Sequence, residues 1–292
     1  MEKLHIPVLL SEVLAGLQPQ LNDKYLDLTA GYGGHAEKIL DVTQNYKDSV
    51  LIDRDEYAYE YLNEKFKGRS VTILHDDFYS SMLQLLESGK TFDIILADFG
   101  VSSPQLDEKE RGFTFREKAP LDMRMDKRQK LTADQVVNHW SERDLADIFE
   151  KYGEEKPGRA KMLAKTIVHH RPIEDTKMLA DLIKSKTHGH SKVHPATRIF
   201  QAIRIVVNDE LGIIEKALPL LPSLLNKNGR LGIITFHSLE DRLVKDFLKE
   251  ETSLGEESRL RVENKKPITA GSEELFINPR ARSAKLRVAT RN

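Results

Sequence analysis

Tyr25-Leu26-Asp27-Leu28-Thr29-Ala30-Gly31-Tyr32-Gly33-Gly34-His35 decides the fold. The short apolar run Tyr25–Leu28 ends in a cluster with three glycines in four positions. Helical spacing then starts at about His35, with Ile39 and Leu40 apolar. A strand that turns into a helix through glycines lets the backbone approach a ligand closely and aims the first helical N–H groups at it. A plain strand-to-helix turn accounts for one glycine but not for three in four.

Outward from this stretch the same alternation continues. Ser49–Ile52 is a second apolar run, closed by Asp53-Arg54-Asp55. Tyr57, Tyr61, Leu62 and Phe66 then have helical spacing, and Gly68 ends that element. Val71–Leu74 and Phe92–Ala97 read as further buried strands, with a helix around Met82–Leu86 between them. Strands separated by helices of roughly 10–15 residues imply βαβ units and a parallel sheet.

After Pro104 the texture changes. Residues 105–130 are dense in charge and read as an irregular loop, and helical patterns follow from about Leu131. Ser141 and Asp144 resemble a capping box ahead of Leu145, Ile148, Phe149 and Tyr152. Leu163, Ala164, Ile167 and Val168 line the next helix. Thr176 is the expected cap of a third, with Leu179, Leu182 and Ile183 inward. Asn228-Gly229 then reads as a turn and Leu231–Phe236 as a buried strand. A helix through Leu239, Leu243, Val244, Phe247 and Leu248 follows, and Lys285–Ala289 alternates as a late strand. The expectation is an α/β domain carrying an all-helical insert, with boundaries at 1–104, 105–205 and 206–292.

The chain has 292 residues, no Cys and a net charge of −1. The absence of Cys excludes disulfides, a thiol nucleophile and thiolate zinc sites. The most apolar stretch, Leu218–Leu225, is broken by Pro219 and Pro222, far short of the roughly 18 residues of a membrane span. No apolar signal segment opens the chain, so a cytosolic protein is expected. The net charge hides a partition. Residues 156–204 carry 11 basic and 3 acidic residues, residues 258–292 carry 9 and 3, and the remainder has a net of −15. Two basic regions on an acidic body suit a polyanionic partner, although solvated helix faces would count the same way.

Ligands of an open parallel sheet bind beyond the carboxyl ends of its strands. Asp53 closes the second strand, 22 residues after Gly31, at the spacing of a carboxylate that accepts ribose hydroxyls. Asp77-Phe78 follows the third strand, where an aromatic ring can cover an adenine, and Asp98 ends the fourth. The acidic rim of Asp27, Asp53, Asp77 and Asp98 suits the cationic sulfonium of S-adenosylmethionine better than the pyrophosphate of a nicotinamide cofactor. The run Asp98-Phe99-Gly100-Val101-Ser102-Ser103-Pro104-Gln105 sits where amino-methylating enzymes carry a short loop that accepts hydrogen bonds from the substrate amine. Asp98 is then either that acceptor or a cofactor contact, and Ser102 and Ser103 position the amine. The plainer alternative makes Asp98 a helix cap and Ser-Ser-Pro a turn.

A dozen blocks in order resemble the ribosomal RNA small subunit methyltransferase H (MraW) family over essentially the whole chain. They include His5-x-Pro7-Val8-Leu9-Leu10, Gly31-x-Gly33-Gly34-His35, Ile52-Asp53-Arg54-Asp55 and Asp98 through Asp107. Glu110 through Phe115, Leu121 through Asp126 and Tyr152-Gly-Glu-Glu155 follow. The second half adds His194 through Arg198, Phe200 through Arg204, Val207-Asn208-x-Glu210-Leu211, Phe236 through Arg242, and Asn278-Pro-Arg-Ala-Arg-Ser283. The resemblance implies a Rossmann-like class I methyltransferase with a mostly parallel sheet and an inserted helical domain. It implies S-adenosylmethionine as cofactor and methylation of a cytidine N4 amine in the decoding region of small-subunit rRNA. A homodimer is also implied. By the family's pattern, Gly33, Gly34, His35, Asp53, Phe78, Asp98 and Gln105 are the cofactor contacts. Residues 156–159 look longer and 249–265 shorter than the family's usual passages.

Four residues are candidates for the RNA itself: Arg198, Arg204, Phe113 and His237. Phe113 and its neighbour Phe115 are placed to stack on a flipped base or to fill a core, and the arginines to meet phosphate or pair with acids. A structural role is the stronger expectation for His237, and helix packing for Tyr57, Tyr59 and Tyr61. His188-x-His190-x-x-x-His194 has the residue types of a metal site, but Gly189 and the basic setting favour solvent or phosphate contacts, and no metal is expected. The other functional classes left open are a catalytically silent RNA-binding factor and a nicotinamide-dependent oxidoreductase.

Overall fold

The computed structural model describes residues 7–187 and 194–292. The chain divides into two compact units, Met1–Gly100 with Leu211–Asn292, and Val101–Glu210.

The first unit is built on a seven-stranded sheet. Its strands are β1 (Tyr25–Asp27), β2 (Val50–Asp53), β3 (Thr72–His75), β4 (Phe92–Asp98), β5 (Leu225–Thr235), β6 (Leu260–Val262) and β7 (Lys285–Arg291), in the order β3-β2-β1-β4-β5-β7-β6. The pairings from β3 across to β5 are parallel, and β7 runs antiparallel to both β5 and β6. Alternate residues supply two cores. Ile95 and Ala97 of β4 join Leu26, Ile52, Leu231 and Ile233 on one face. Ile94 and Leu96 join Tyr25, Leu51 and Ile234 on the other. A parallel sheet covered on both faces needs near-continuous apolar strands, which explains why apolar runs in the sequence mark its five parallel members.

Local expectations change in several places. Asn228-Gly229 is no turn between elements: it lies inside β5, where the register jumps from Phe92 opposite Leu225 to Ile94 opposite Arg230. Asn228 takes a φ of 62° there, so turn-type residues serve a bulge within a continuous strand. The helix Glu56–Lys65 buries Ala58 and Leu62, with Phe66 just beyond, whereas Tyr57 and Tyr61 are 42 % and 46 % exposed. The tyrosines therefore do not pack the core. Tyr61 lies against Tyr32, and Tyr59 stacks on the His75 ring at 4.9 Å. Strand β6 and the helix Ser272–Ile277 are too short to have left a periodic signal.

The second unit is helical, with a single apolar core that includes Val136, Leu145, Phe149, Leu163, Ile167, Leu179, Ile183, Ile199 and Ile203. Ser141 caps the helix Glu142–Lys151 as expected, by accepting from Asp144 N–H at 3.1 Å. The helix Thr176–Ser185 is capped by Asp175 rather than Thr176: the Asp175 carboxylate accepts from Met178 N–H at 2.7 Å. Within 105–130 the chain is not wholly irregular, since it starts with the helix Ser103–Asp107 and a 3₁₀ turn at Lys109–Arg111. Buried Asn208 ties down the loop beyond. Its amide accepts from Met125 N–H and donates to Met123 O, both at 2.8 Å. No helix among the described residues is long and apolar enough to cross a membrane.

Candidate active site

In this strand order the chain winds from β1 outward to β3 on one side and from β4 to β5 on the other, so the order reverses between β1 and β4. Ligands bind beyond the carboxyl ends of the strands at such a switch. Gly33, the N-cap of the helix Gly34–Thr43, has a φ of 70°, and a Cβ on it would meet Leu62 Cδ2 at 3.0 Å. A Cβ on Gly34 would lie 2.6 Å from Pro7 Cγ. The turn needs glycine at Gly33 for its left-handed backbone and at Gly34 for the close passage of Pro7.

Four acidic or imidazole side chains meet at this end of the sheet. Asp53 braces the turn: one carboxylate oxygen accepts from Gly31 N–H and the other from Asp55 N–H, each at 2.8 Å. Burial pushes its carboxyl up to about 6. Asp27, 2 % exposed, accepts from Tyr25 O–H at 2.6 Å and Thr29 N–H at 3.1 Å, and burial raises it to about 7. His35 Nε2 donates to the Val8 carbonyl at 2.9 Å, because a carbonyl can only accept, while Nδ1 lies 3.8 Å from Asp98 Oδ2.

Asp98 is the least satisfied group. Its N–H donates to Thr29 Oγ1 at 2.6 Å, but its buried Oδ1 makes no hydrogen bond. Burial, and then the nearby Asp27 and Glu240 carboxylates, hold it well above the usual carboxylate range. It is not a helix cap. An ionised Asp98 gains from any cation or N–H donor brought to it, which fits a sulfonium cofactor and an amine substrate.

Phe78 follows β3 half-buried, its ring 5.6 Å from that of Phe99. Asp77, in contrast, is occupied in capping the helix Phe78–Glu87 through Ser80 N–H at 3.0 Å and Ser80 O–H at 2.7 Å. His237 caps the helix Ser238–Ser253: Nδ1 accepts from Glu240 N–H at 3.3 Å and Nε2 lies 3.1 Å from Glu240 Oε1. Glu240 in turn accepts from Phe236 N–H at 2.7 Å. Its electrostatic influence on Asp98 escaped the sequence reading, although Glu240 three residues after the His237 cap is a capping signature.

In the helical unit, Ser102 and Gln105 form a reciprocal cap of the helix Ser103–Asp107. Ser102 Oγ accepts from Gln105 N–H at 3.4 Å, and Gln105 Oε1 accepts from Ser102 N–H at 2.9 Å. Ser103 is the first residue of that helix. The RNA candidates divide. Phe113 is a core residue, 7 % exposed, and Phe115 packs against Phe200 and His194 at 4.7 and 4.9 Å. Arg204 is held in a two-pronged ion pair with Glu210 at 2.8 and 2.9 Å. Arg198 alone is exposed, with one long contact of 3.5 Å to Glu154 O. His188 and His190 lie outside the described residues.

A parallel sheet with one antiparallel strand inserted beside β5, a glycine turn after β1 and acids ending β1, β2 and β4 define a Rossmann-like methyltransferase that uses S-adenosylmethionine. The model of the MraW methylase family matches residues 2–292, and the chain belongs to that family. It is similar to proteins named ribosomal RNA small subunit methyltransferase H from several bacteria. The one from Synechocystis sp. is 47 % identical, over 98 % of this chain and 92 % of the relative. Those from Cyanothece sp. and Hydrogenobaculum sp. are each 48 % identical, over 99 % and 98 % of this chain and 95 % of each relative.

Proposed function

We propose that the protein methylates the exocyclic N4 amine of a cytidine in the decoding region of small-subunit rRNA, in the cytoplasm, within the small subunit and as a homodimer. The observation that carries this reading is Asp98, a partly exposed carboxylate at the switch point whose buried Oδ1 has no hydrogen-bond partner. The lone pair of an aromatic exocyclic amine is delocalised into its ring, which makes it a poor nucleophile. Asp98 accepts one of its N–H bonds, draws the nitrogen towards a tetrahedral shape and stabilises the positive charge that develops there. S-adenosylmethionine supplies an electrophilic methyl group on a positive sulfur.

The residues around Asp98 take distinct parts. Gly33, Gly34 and His35 open the helix whose N-terminal end receives the cofactor, and Asp53, Phe78 and Gln105 complete its contacts. Asp98 touches both sides of the reaction. Ser102 Oγ accepts one hydrogen bond in its cap and keeps a second lone pair, with which it accepts from the amine N–H and positions it; Ser103 is the second positioning residue. The helical unit, with the basic stretch 156–204, reads the RNA, and Arg198 is its exposed phosphate contact. Arg204, Phe113 and His237 act in folding instead, because their partners already hold them.

Labelled S-adenosylmethionine incubated with small-subunit rRNA or assembled subunits tests the proposal. Label should appear as N4-methylcytidine and disappear with Asp98→Asn. Tight RNA binding without transfer by the wild type would identify a silent binding factor instead.

A further inference from the structure

The block Asn278-Pro279-Arg280-Ala281-Arg282-Ser283 takes part in none of the roles above. Together with the preceding helix Ser272–Ile277 it is fastened to the sheet unit from both sides. Leu275 packs on the core, Ala281 and Ala284 are each 1 % exposed, and Glu274 Oε1 accepts from Leu9 N–H at 2.6 Å. The carbonyl of Val8, the chain neighbour of Leu9, accepts from His35, which in turn lies 3.8 Å from Asp98. A short line of contacts thus joins this segment to the wall of the methyl-transfer site.

Its outer side is unusual. Phe276 is 90 % exposed and Ile277 58 % exposed, on backbone anchored at both ends. Arg280 and Arg282 are exposed beside them, and Arg282 makes no ion pair among the described residues. No Asp or Glu occurs between residue 275 and residue 292. Glu273 and Glu274 precede the ring on its helix, Glu274 being engaged by Leu9 N–H, and every charged residue after the ring is basic. An ordered aromatic ring beside such cations has the two features that hold a single strand of nucleic acid. A π-face stacks on any base, and cations meet the phosphates. A purely apolar partner would leave Arg282 without a counter-charge.

We propose that Phe276–Arg282 is an RNA-docking surface, on which Phe276 stacks against an unpaired base near the target and Arg280 and Arg282 contact the backbone. The proposal rests on the rRNA reading above. The whole protein is titrated with small-subunit rRNA at several salt concentrations. Phe276→Ala should weaken binding at least about 5-fold without changing the salt slope, and Phe276→Trp should restore it. Arg282→Ala should lower the slope of log affinity against log salt by about 0.7. S-adenosylmethionine affinity should stay at the wild-type value in all three variants, which also shows that each is folded. Unchanged RNA affinity in Phe276→Ala overturns the proposal. So does a wild-type dimer that Phe276→Ala dissociates while RNA affinity holds, since the ring then covers a second copy. A wild type that neither binds nor methylates rRNA overturns the functional reading, and this proposal with it, before any variant is measured.

Discussion

Replacing Asp27 with Asn should stabilise the protein, and by an amount that grows with pH. Asp27 is 2 % exposed, and its carboxyl rises from 3.8 to about 7 because burial disfavours the charged form more than Tyr25 O–H and Thr29 N–H support it. The folded protein therefore holds this proton more tightly than the unfolded chain does. Stability falls as pH rises from about 4 to about 7, and the full penalty is present above that. At 1.36 kcal/mol per unit, a rise of about three units corresponds to a ceiling of roughly 4 kcal/mol at pH 8. At pH 5 less than half of it has been incurred, so the variant's advantage should grow by roughly 2 kcal/mol between the two. Asn keeps the shape: its oxygen still accepts from Thr29 N–H, and its amide donates to Tyr25 Oη. Urea unfolding of cofactor-free protein at both pH values gives the comparison, and cofactor affinity should fall in the same variant. An advantage that is equal at pH 5 and pH 8, or larger at pH 5, would refute the assignment of the penalty to a buried charge.

Other outcomes follow from the same geometry. Gly33→Ala, forced to a φ of 70° with its Cβ 3.0 Å from Leu62, should lose about 1–2 kcal/mol in thermal unfolding and bind S-adenosylmethionine more weakly by calorimetry. Cofactor affinity should rise from pH 5 to pH 8, because Asp53, raised to about 6, is protonated and loses acceptor capacity below that value; a flat profile would exclude Asp53 from the site. Arg204→Ala strands Glu210, whose side chain is 4 % exposed, and should cost roughly 3–5 kcal/mol in urea unfolding, with the salt slope of RNA binding unchanged. Arg198→Ala should do the reverse, sparing stability and lowering that slope by about 0.7.

The glycine turn, the acids ending the strands and the five parallel strands around them were legible because each is a local pattern, although β3, at the edge of the sheet, is half-buried rather than buried. A parallel strand is an apolar run, and a turn with a left-handed residue needs glycine. Capping was only half legible. The spacing of Ser141 to Asp144 marks a cap, whereas Thr176 has the residue type of a cap but the carboxylate of Asp175, one place earlier, takes the Met178 N–H. Tyr57 and Tyr61 have helical spacing, but the buried stripe of that helix starts at Ala58, and spacing alone does not say which face turns inward.

By itself, the order of residues determined the βαβ alternation, the ligand end of the sheet, the helical insert and the basic regions hidden under a net charge of −1. All of these follow from neighbours in the chain. Only the tertiary structure decided which charged and aromatic groups remain available, because that depends on partners far apart in sequence. Asp27 brings its charge close to Asp98 across 71 positions, and Leu9 N–H finds Glu274 across 265. Phe113 is drawn into a core, while Phe276 is held out in solvent at 90 % exposure. Burial and pairing are properties of the assembled fold, and they separate an Asp98 with an unmatched oxygen from a rim of otherwise similar acids.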